Sequence, residues 1–145
     1  MYEFGAEAEI NANVESVWAV VTDVAGWPAW DPHEKAARLD GPFAPGTAGW
    51  SKPHGGPATD WTITEVVPRT CWGSECSLPG GKITGLNTFE PLPNGKLRCF
   101  KRVQVFGPLV PLFRFHFARH MRADMLKTFA ALEQEAARRH EEVAP

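Results

Sequence analysis

Arg122 combines a charge with an apolar setting, and it is the residue that points most directly to chemistry. It lies on a predicted C-terminal helix, between Met121 and Met125. Because a buried unpaired charge is costly, two interpretations remain open. The guanidinium either faces an internal pocket, where it could bind a carboxylate, enolate or phenolate, or it reaches solvent or pairs with a structural carboxylate such as Glu65 or Glu75.

His116, His120 and Asp124 follow one another at four-residue intervals, so they share one face of the same helix. These side chains could ligate a metal ion or pair a His with a carboxylate for proton transfer. This face lies opposite the apolar stripe, however, and the motif lacks a clear fourth ligand. A solvated face with weak charge pairing is therefore favoured, and we expect neither a metal ion nor another cofactor.

Asp31, His33 and Glu34 form a third group of titratable residues, directly after two Trp residues. They could perform acid–base chemistry at the mouth of a pocket, because His titrates near neutral pH. A turn cap with exposed charges is the more frequent arrangement. A one-residue slip of register exchanges the two faces of a strand, so the sequence leaves open which strand carboxylates point inward: Asp60, Glu65, Glu75 or Glu90. We therefore assign no catalytic residue.

Aromatic residues are abundant, with six Trp and nine Phe against one Tyr. A Trp offers a large flat surface and one N–H donor, which suits a polycyclic or lipid-like ligand. Any single Trp is more often ordinary core, and Trp18 is best explained that way. As a group, though, the others favour a pocket that contains at least two of them: Trp27, Trp30, Trp50, Trp61 and Trp72. The predicted ligand-binding residues are Trp27, Trp30, Trp61, Trp72, Phe89, Phe115, Met121, Arg122 and Met125.

The first third of the chain reads as one strand followed by two short helices. Alternating residues over Glu3 to Ala12 predict the strand. Beyond the N-cap Asn13, apolar residues at helical spacing predict a helix that ends at Gly26. Pro28 then suits the start of a second helical turn, which Pro32 cannot continue.

The remainder predicts an antiparallel meander followed by a long helix. Turn signals separate six strand candidates, at roughly 34–40, 47–52, 59–67, 70–77, 82–90 and 96–106. The helix covers about Leu112 to Arg139, and its predicted apolar stripe consists of Phe115, Ala118, Met121, Met125, Leu126, Phe129, Leu132 and Ala136. We find no linker or repeat and predict one α+β domain over residues 1–145.

A cavity follows from the geometry of these elements. The helix must bury its stripe, and the sheet is the only surface large enough to cover it. A sheet of seven strands twists and curls, and one helix cannot fill the resulting trough. The leftover space, lined by aromatic residues, is a natural site for a small molecule.

Several local motifs are familiar in this order: Ile10–Trp18, Thr22-Asp23, Trp27–Pro32, Ile63–Arg69, and Asp124–Lys127 through Leu132-Glu133. They resemble the START/Bet v1-like (SRPBCC) superfamily, especially its bacterial polyketide cyclase/dehydrase-like branch, over nearly the whole chain. The resemblance implies the helix-grip fold, in which a curved seven-stranded antiparallel sheet wraps around the long C-terminal helix. It does not imply one activity, because the superfamily includes carriers, sensors, lyases and cyclases.

Composition and terminal sequence limit the kinds of partner and the cellular compartment that we expect. A net charge of −2 over 145 residues gives no sign of a nucleic-acid partner. The three cysteines form no CxxC pair and suggest reduced thiols. The N-terminus lacks the features of a signal peptide, and the apolar run Phe106–Phe117 is too short and interrupted to span a bilayer. We expect a cytoplasmic monomer or homodimer without stable membrane insertion.

Three functions remain open at this point. The favoured one is a non-catalytic binder or carrier of a hydrophobic small molecule such as a lipid, isoprenoid or aromatic polyketide. The second, which the resemblance permits, is a cyclase or dehydratase-type lyase in which Arg122 would hold an enolate or carboxylate. The third is a regulatory module that binds a partner through the last helix or through Phe106–Phe113. That segment either covers the pocket entrance or, as we favour, packs on the first helices.

Overall fold

Seven strands separated by short turns build one antiparallel sheet in the computed structural model, which describes residues 1–143. The strands are β1 Tyr2–Ile10, β2 Glu34–Leu39, β3 Ala48–Pro53, β4 Thr59–Val67, β5 Cys71–Leu78, β6 Gly81–Pro91 and β7 Leu97–Phe106. Their order across the sheet is β1-β7-β6-β5-β4-β3-β2. The first strand therefore closes against the last, and β2 to β7 follow as a meander.

Two short helices follow β1, as the sequence predicted. Helix α1 spans Val14–Thr22, and the side chain of its N-cap Asn13 accepts a hydrogen bond from the Ser16 amide at 2.8 Å. After a 3₁₀ turn, α2 spans Trp27–Trp30, with a Pro in its first turn. This connection carries the chain from β1, at one edge of the sheet, to β2, at the opposite edge.

The C-terminal helix lies along the concave face of the sheet and confirms the predicted helix-grip arrangement. It consists of α3 Val110–Leu112, a π-helical turn over Phe113–Phe117, and α4 Ala118–Val143. No helix in the described part of the chain is long and apolar enough to cross a membrane.

The π turn corrects one part of the predicted helix stripe. Phe115 was expected to face the sheet, but 80% of it is exposed, while Phe113 is buried. In the π turn the Ala118 amide donates to the Phe113 carbonyl, five residues earlier. That spacing places Phe113 rather than Phe115 on the face that α4 buries. Leu126, also assigned to the stripe, is 50% exposed at its margin.

Ion pairs fix the end of α4 against the first helices. The Glu135 carboxylate is buried and is paired with Arg138 and Arg139 on its own helix. Arg139 also reaches Asp23 at the end of α1, 3.2 Å away. This contact links the last part of α4 to the end of α1.

Candidate functional site

A cavity of about 270 Å³ lies between the concave face of the sheet, α2 and α4. This volume lies slightly below the usual range for small-molecule sites, roughly 300–1,000 Å³. Most of its surface is apolar, and its walls come from strands β2 to β7 as well as from both helices. The space that the trough argument predicted is therefore present.

Three indoles form one wall of the cavity. Trp27 of α2 stacks on Trp61 of β4 with ring centroids 5.7 Å apart, and Trp72 of β5 lies 5.9 Å from Trp27. A Cβ atom built on Gly49 would lie 2.4 Å from the Trp61 ring, so the indole packs flat on a strand position that carries no side chain. Trp27 Nε1 donates to the Val21 carbonyl at 3.1 Å, which anchors the indole to α1.

The structure brings six of the nine predicted ligand-binding residues to the cavity: Trp27, Trp30, Trp61, Trp72, Phe89 and Met121. The other three lie elsewhere. Met125 is buried in the core without lining the cavity, and Phe115 is turned outward by the π turn. Of the remaining aromatic candidates, Trp50 is half-buried and lies 5.5 Å from the Arg38 guanidinium, outside the cavity.

Arg122 lies at the surface and not in the cavity, so the pocket-facing interpretation does not describe its position. Its guanidinium lies 5.5 Å from the centre of the Phe4 ring and 3.4 Å from the Tyr2 hydroxyl. The side chain thus extends over β1 toward solvent, and it contacts aromatic groups rather than Glu65 or Glu75.

The basic side chain that lines the cavity is Lys101. Side chains at alternate positions of β7 face α4, and all but one of them are apolar and buried: Leu97, Cys99, Val103 and Val105. Lys101 occupies the middle of this series and lines the cavity. Asn87 of β6 is its direct cross-strand neighbour and also lines the cavity.

Glu34 enters the same cavity because of a β-bulge. Ala37 pairs with Ser51, which lines the cavity, so Ala37 lies on the inward face of β2. In a regular strand the residue two positions earlier, Lys35, would point inward as well. The register of β2 against β3 shifts between Glu34 and Ala36. Glu34 therefore takes the inward position and Lys35 is exposed.

Burial and mutual charge perturb these groups. Burial raises the pKa of Glu34 from its usual 4.5 to about 7, and the nearby Asp31 carboxylate adds to the effect, while Lys101 and His33 oppose it. Burial lowers the pKa of Lys101, against the attraction of Asp31 and Glu34. Glu34 thus titrates near neutral pH, and the lowered pKa means that Lys101 gives up its proton more readily than an exposed lysine does.

A network of hydrogen bonds fixes the position of Asp31. Its Oδ1 accepts from the His33 amide at 3.0 Å and from the Thr128 hydroxyl of α4 at 3.3 Å. The His33 ring donates through Nε2 to the Asp124 carbonyl at 2.9 Å. Asp124 thus helps to hold α4 against the start of β2. Of the three titratable residues predicted near the two Trp residues, Asp31 and Glu34 line the cavity and His33 does not.

Two buried polar atoms of the cavity residues have no hydrogen-bond partner within the described part of the chain, Trp30 Nε1 and Glu34 Oε2. An unpaired buried polar atom costs roughly 1–3 kcal/mol. An oxygen function on a bound molecule is the chemistry that would pair with either atom, since the indole donates and the carboxyl both accepts and, when protonated, donates.

Lys101 is the residue that the sequence interpretation missed. The sequence pattern could have identified it, because a Lys interrupts the regular series of apolar residues on one face of the last strand. The sequence also contained Glu34 as a candidate, but it could not reveal the bulge that turns this residue inward.

Comparison with known proteins agrees with this architecture. The model of the family described as "Polyketide cyclase / dehydrase and lipid transport" matches residues 1–137. No curated protein is a significant match to the chain.

Solved structures share the fold at low sequence identity. Protein NE0264 from Nitrosomonas europaea superposes with a TM-score of 0.78 and 15% identity, over 96% of each chain. The Zhui aromatase/cyclase from Streptomyces sp. R1128 gives 0.76 and 14%, over 95% of this chain and 94% of that one. A START superfamily protein from Mycobacterium smegmatis gives 0.71 and 14%, over 95% and 99%.

Proposed function

Because the chain belongs to the polyketide cyclase/dehydrase and lipid transport family, we propose that it binds a hydrophobic small molecule with an oxygen function in the cavity between the sheet and α4. The single observation that carries the proposal is the combination of apolar walls with unpaired polar atoms on Trp30 and Glu34. An apolar ligand replaces water against the indoles, and its oxygen supplies the missing partner. A lipid, isoprenoid or aromatic polyketide has this chemistry.

Titration with 2-naphthol tests this proposal, with the quenching of Trp fluorescence as the readout. The matched variant is Gly85→Val, because a Cβ at this position would lie 3.9 Å from both Lys101 Cε and Ser74 Oγ. The added side chain would occupy cavity space without meeting backbone. We expect at least tenfold weaker binding, a loss of about 1.4 kcal/mol.

Ser77→Val is the control for the added β-branched side chain, since Ser77 is exposed on β5 and does not line the cavity. It should bind 2-naphthol like the unmodified protein. Absence of measurable 2-naphthol binding to the unmodified protein, or equal affinity in the Gly85→Val variant, would contradict a site in this cavity.

A second candidate function is a cyclase or dehydratase-type reaction in the same cavity. The observation that favours it is Glu34, whose carboxyl titrates near neutral pH inside an apolar space and so could transfer a proton. The Zhui structure carries the name aromatase/cyclase. Dehydration of 4-hydroxy-4-phenylbutan-2-one, followed by the absorbance of its conjugated product, measures such an activity. Glu34→Gln should then abolish turnover while the variant keeps its fold, as circular dichroism measures; turnover that survives this substitution would exclude Glu34 as the acid.

We also propose that the chain functions as a single domain in the cytoplasm, as a monomer or homodimer and without nucleic acid. The three free cysteines support a reducing setting. Light scattering on the purified protein measures the oligomeric state, and a trimer or larger assembly would contradict this part of the proposal.

A further inference from the structure

Lys101 is placed where a structural lysine is rarely found. Its neighbours on the inward face of β7 are Cys99 and Val103, both buried, and its cross-strand neighbour on β1 is Ala6. Lysines at surface positions extend their ammonium group into water. This side chain instead lines the largely apolar cavity, where burial makes the charged form poorly solvated.

The surroundings of Lys101 leave its amine available. Asp31 and Glu34 act on it through their charges, but neither carboxylate is hydrogen-bonded to it. Gly85 lies beside its stem and has no side chain, so a built Cβ would still be 3.9 Å from Lys101 Cε. A ligand in the cavity can therefore approach the amine directly.

We propose that Lys101 forms a covalent imine with the aldehyde or ketone group of the cavity's ligand, and that Glu34 donates the proton on which the hydroxyl leaves as water. The inference rests on the proposed function, because the apolar body of the ligand must first bind against the indoles. It narrows the oxygen function of the ligand to a reactive carbonyl.

Formation of the imine needs only the ligand's carbonyl group and these two side chains. The lone pair of the neutral Lys101 amine attacks the carbonyl carbon, a C–N bond forms, and the carbonyl electron pair moves to oxygen. A proton passes from nitrogen to that oxygen and gives a neutral carbinolamine. The protonated Glu34 carboxyl then gives its proton to the hydroxyl, and the nitrogen lone pair forms the second C–N bond as the C–O bond breaks. Water leaves, and the protonated imine remains beside the Glu34 carboxylate, which stabilises its charge.

Reductive trapping with 2-naphthaldehyde and sodium cyanoborohydride tests the inference on the full chain. Intact mass measures the number of adducts, and peptide mapping locates them. We expect one adduct on Lys101, formed at least tenfold faster than any adduct on the exposed Lys35 and Lys127. Lys101→Met should abolish it, whereas the matched control Lys127→Met should not.

Further measurements separate the possible outcomes. Glu34→Gln should slow trapping at least tenfold without weakening the binding of 2-methylnaphthalene, which has no carbonyl group. If Lys101→Met fails to fold, competition on the unmodified protein replaces it: an excess of 2-methylnaphthalene should suppress the Lys101 adduct but not those on exposed lysines. Binding of 2-naphthol without preferential trapping at Lys101 would overturn the imine and leave the proposed function intact. Absence of both 2-naphthol binding and Lys101 trapping would overturn both.

Discussion

Replacing Glu34 by Gln should change how the stability of the fold depends on pH. The carboxyl is taken into the cavity by the bulge in β2, and its pKa rises from 4.5 to about 7 because burial disfavours the charged form. Ionisation of Glu34 therefore opposes folding. Its favourable contribution is fully present below about pH 4.5, the pKa of the unfolded chain, and is lost as the pH rises through about 7.

The magnitude follows from the same two pKa values. A rise from 4.5 to about 7 corresponds to roughly 3 kcal/mol at about 1.4 kcal/mol per pKa unit. Part of the Glu34 side chain reaches solvent, and screening reduces the effect there. We therefore expect the stability of the Gln variant relative to the unmodified protein to increase by about 1–2 kcal/mol between pH 4 and pH 8. Any cost of the buried amide itself is nearly the same at both pH values and cancels.

Urea denaturation followed by Trp fluorescence at several pH values measures this difference, provided that unfolding is two-state. Glu65→Gln is the control, because Glu65 is an exposed carboxylate on β4 outside the cavity. The reasoning would be refuted if the relative stability of the Glu34→Gln variant did not change with pH, or if the whole change were complete by pH 5.

Three further predictions use the same denaturation and titration assays. Gly49→Ala should lower the free energy of unfolding by about 1–3 kcal/mol, because its Cβ would lie 2.4 Å from the Trp61 ring and displace it; unchanged stability would contradict this packing. Glu135→Gln should cost roughly 1–2 kcal/mol at pH 7, because the hydrogen bond from Arg138 lowers the pKa of Glu135. This loss should shrink as the pH falls below about 4.5, and a loss that persists in acid would argue against the ion pair. Arg122→Ala should change the free energy of unfolding by less than about 1 kcal/mol and leave 2-naphthol binding unchanged, since Arg122 is exposed outside the cavity; tenfold weaker binding would show that it contacts the ligand.

Local patterns were sufficient to predict the order of the elements. Alternation and turn signals depend on residues close in the chain, so six strand candidates and the N-cap at Asn13 correspond to elements of the structure within a few residues. The long helix was also predicted, although it begins at Val110 rather than near Leu112 and continues past Arg139. The predicted boundaries are less reliable than the elements themselves, because helix ends depend on capping contacts that the pattern does not specify.

The aromatic lining was partly predictable for a similar reason. Large apolar side chains have few alternatives to the interior, and four of the predicted Trp residues line the cavity, two from strands and two from α2. The helix residues were less predictable, because the π turn changed the spacing that places Phe115 and its neighbours.

The sequence by itself determined the element order, the abundance of aromatics and the one Lys that interrupts the apolar face of β7. Only the tertiary structure decided which polar groups meet in the cavity. Whether Glu34 or Lys35 turns inward depends on a single extra residue in the pairing of β2 with β3. Such a shift depends on contacts between strands, which no periodicity within one strand can reveal.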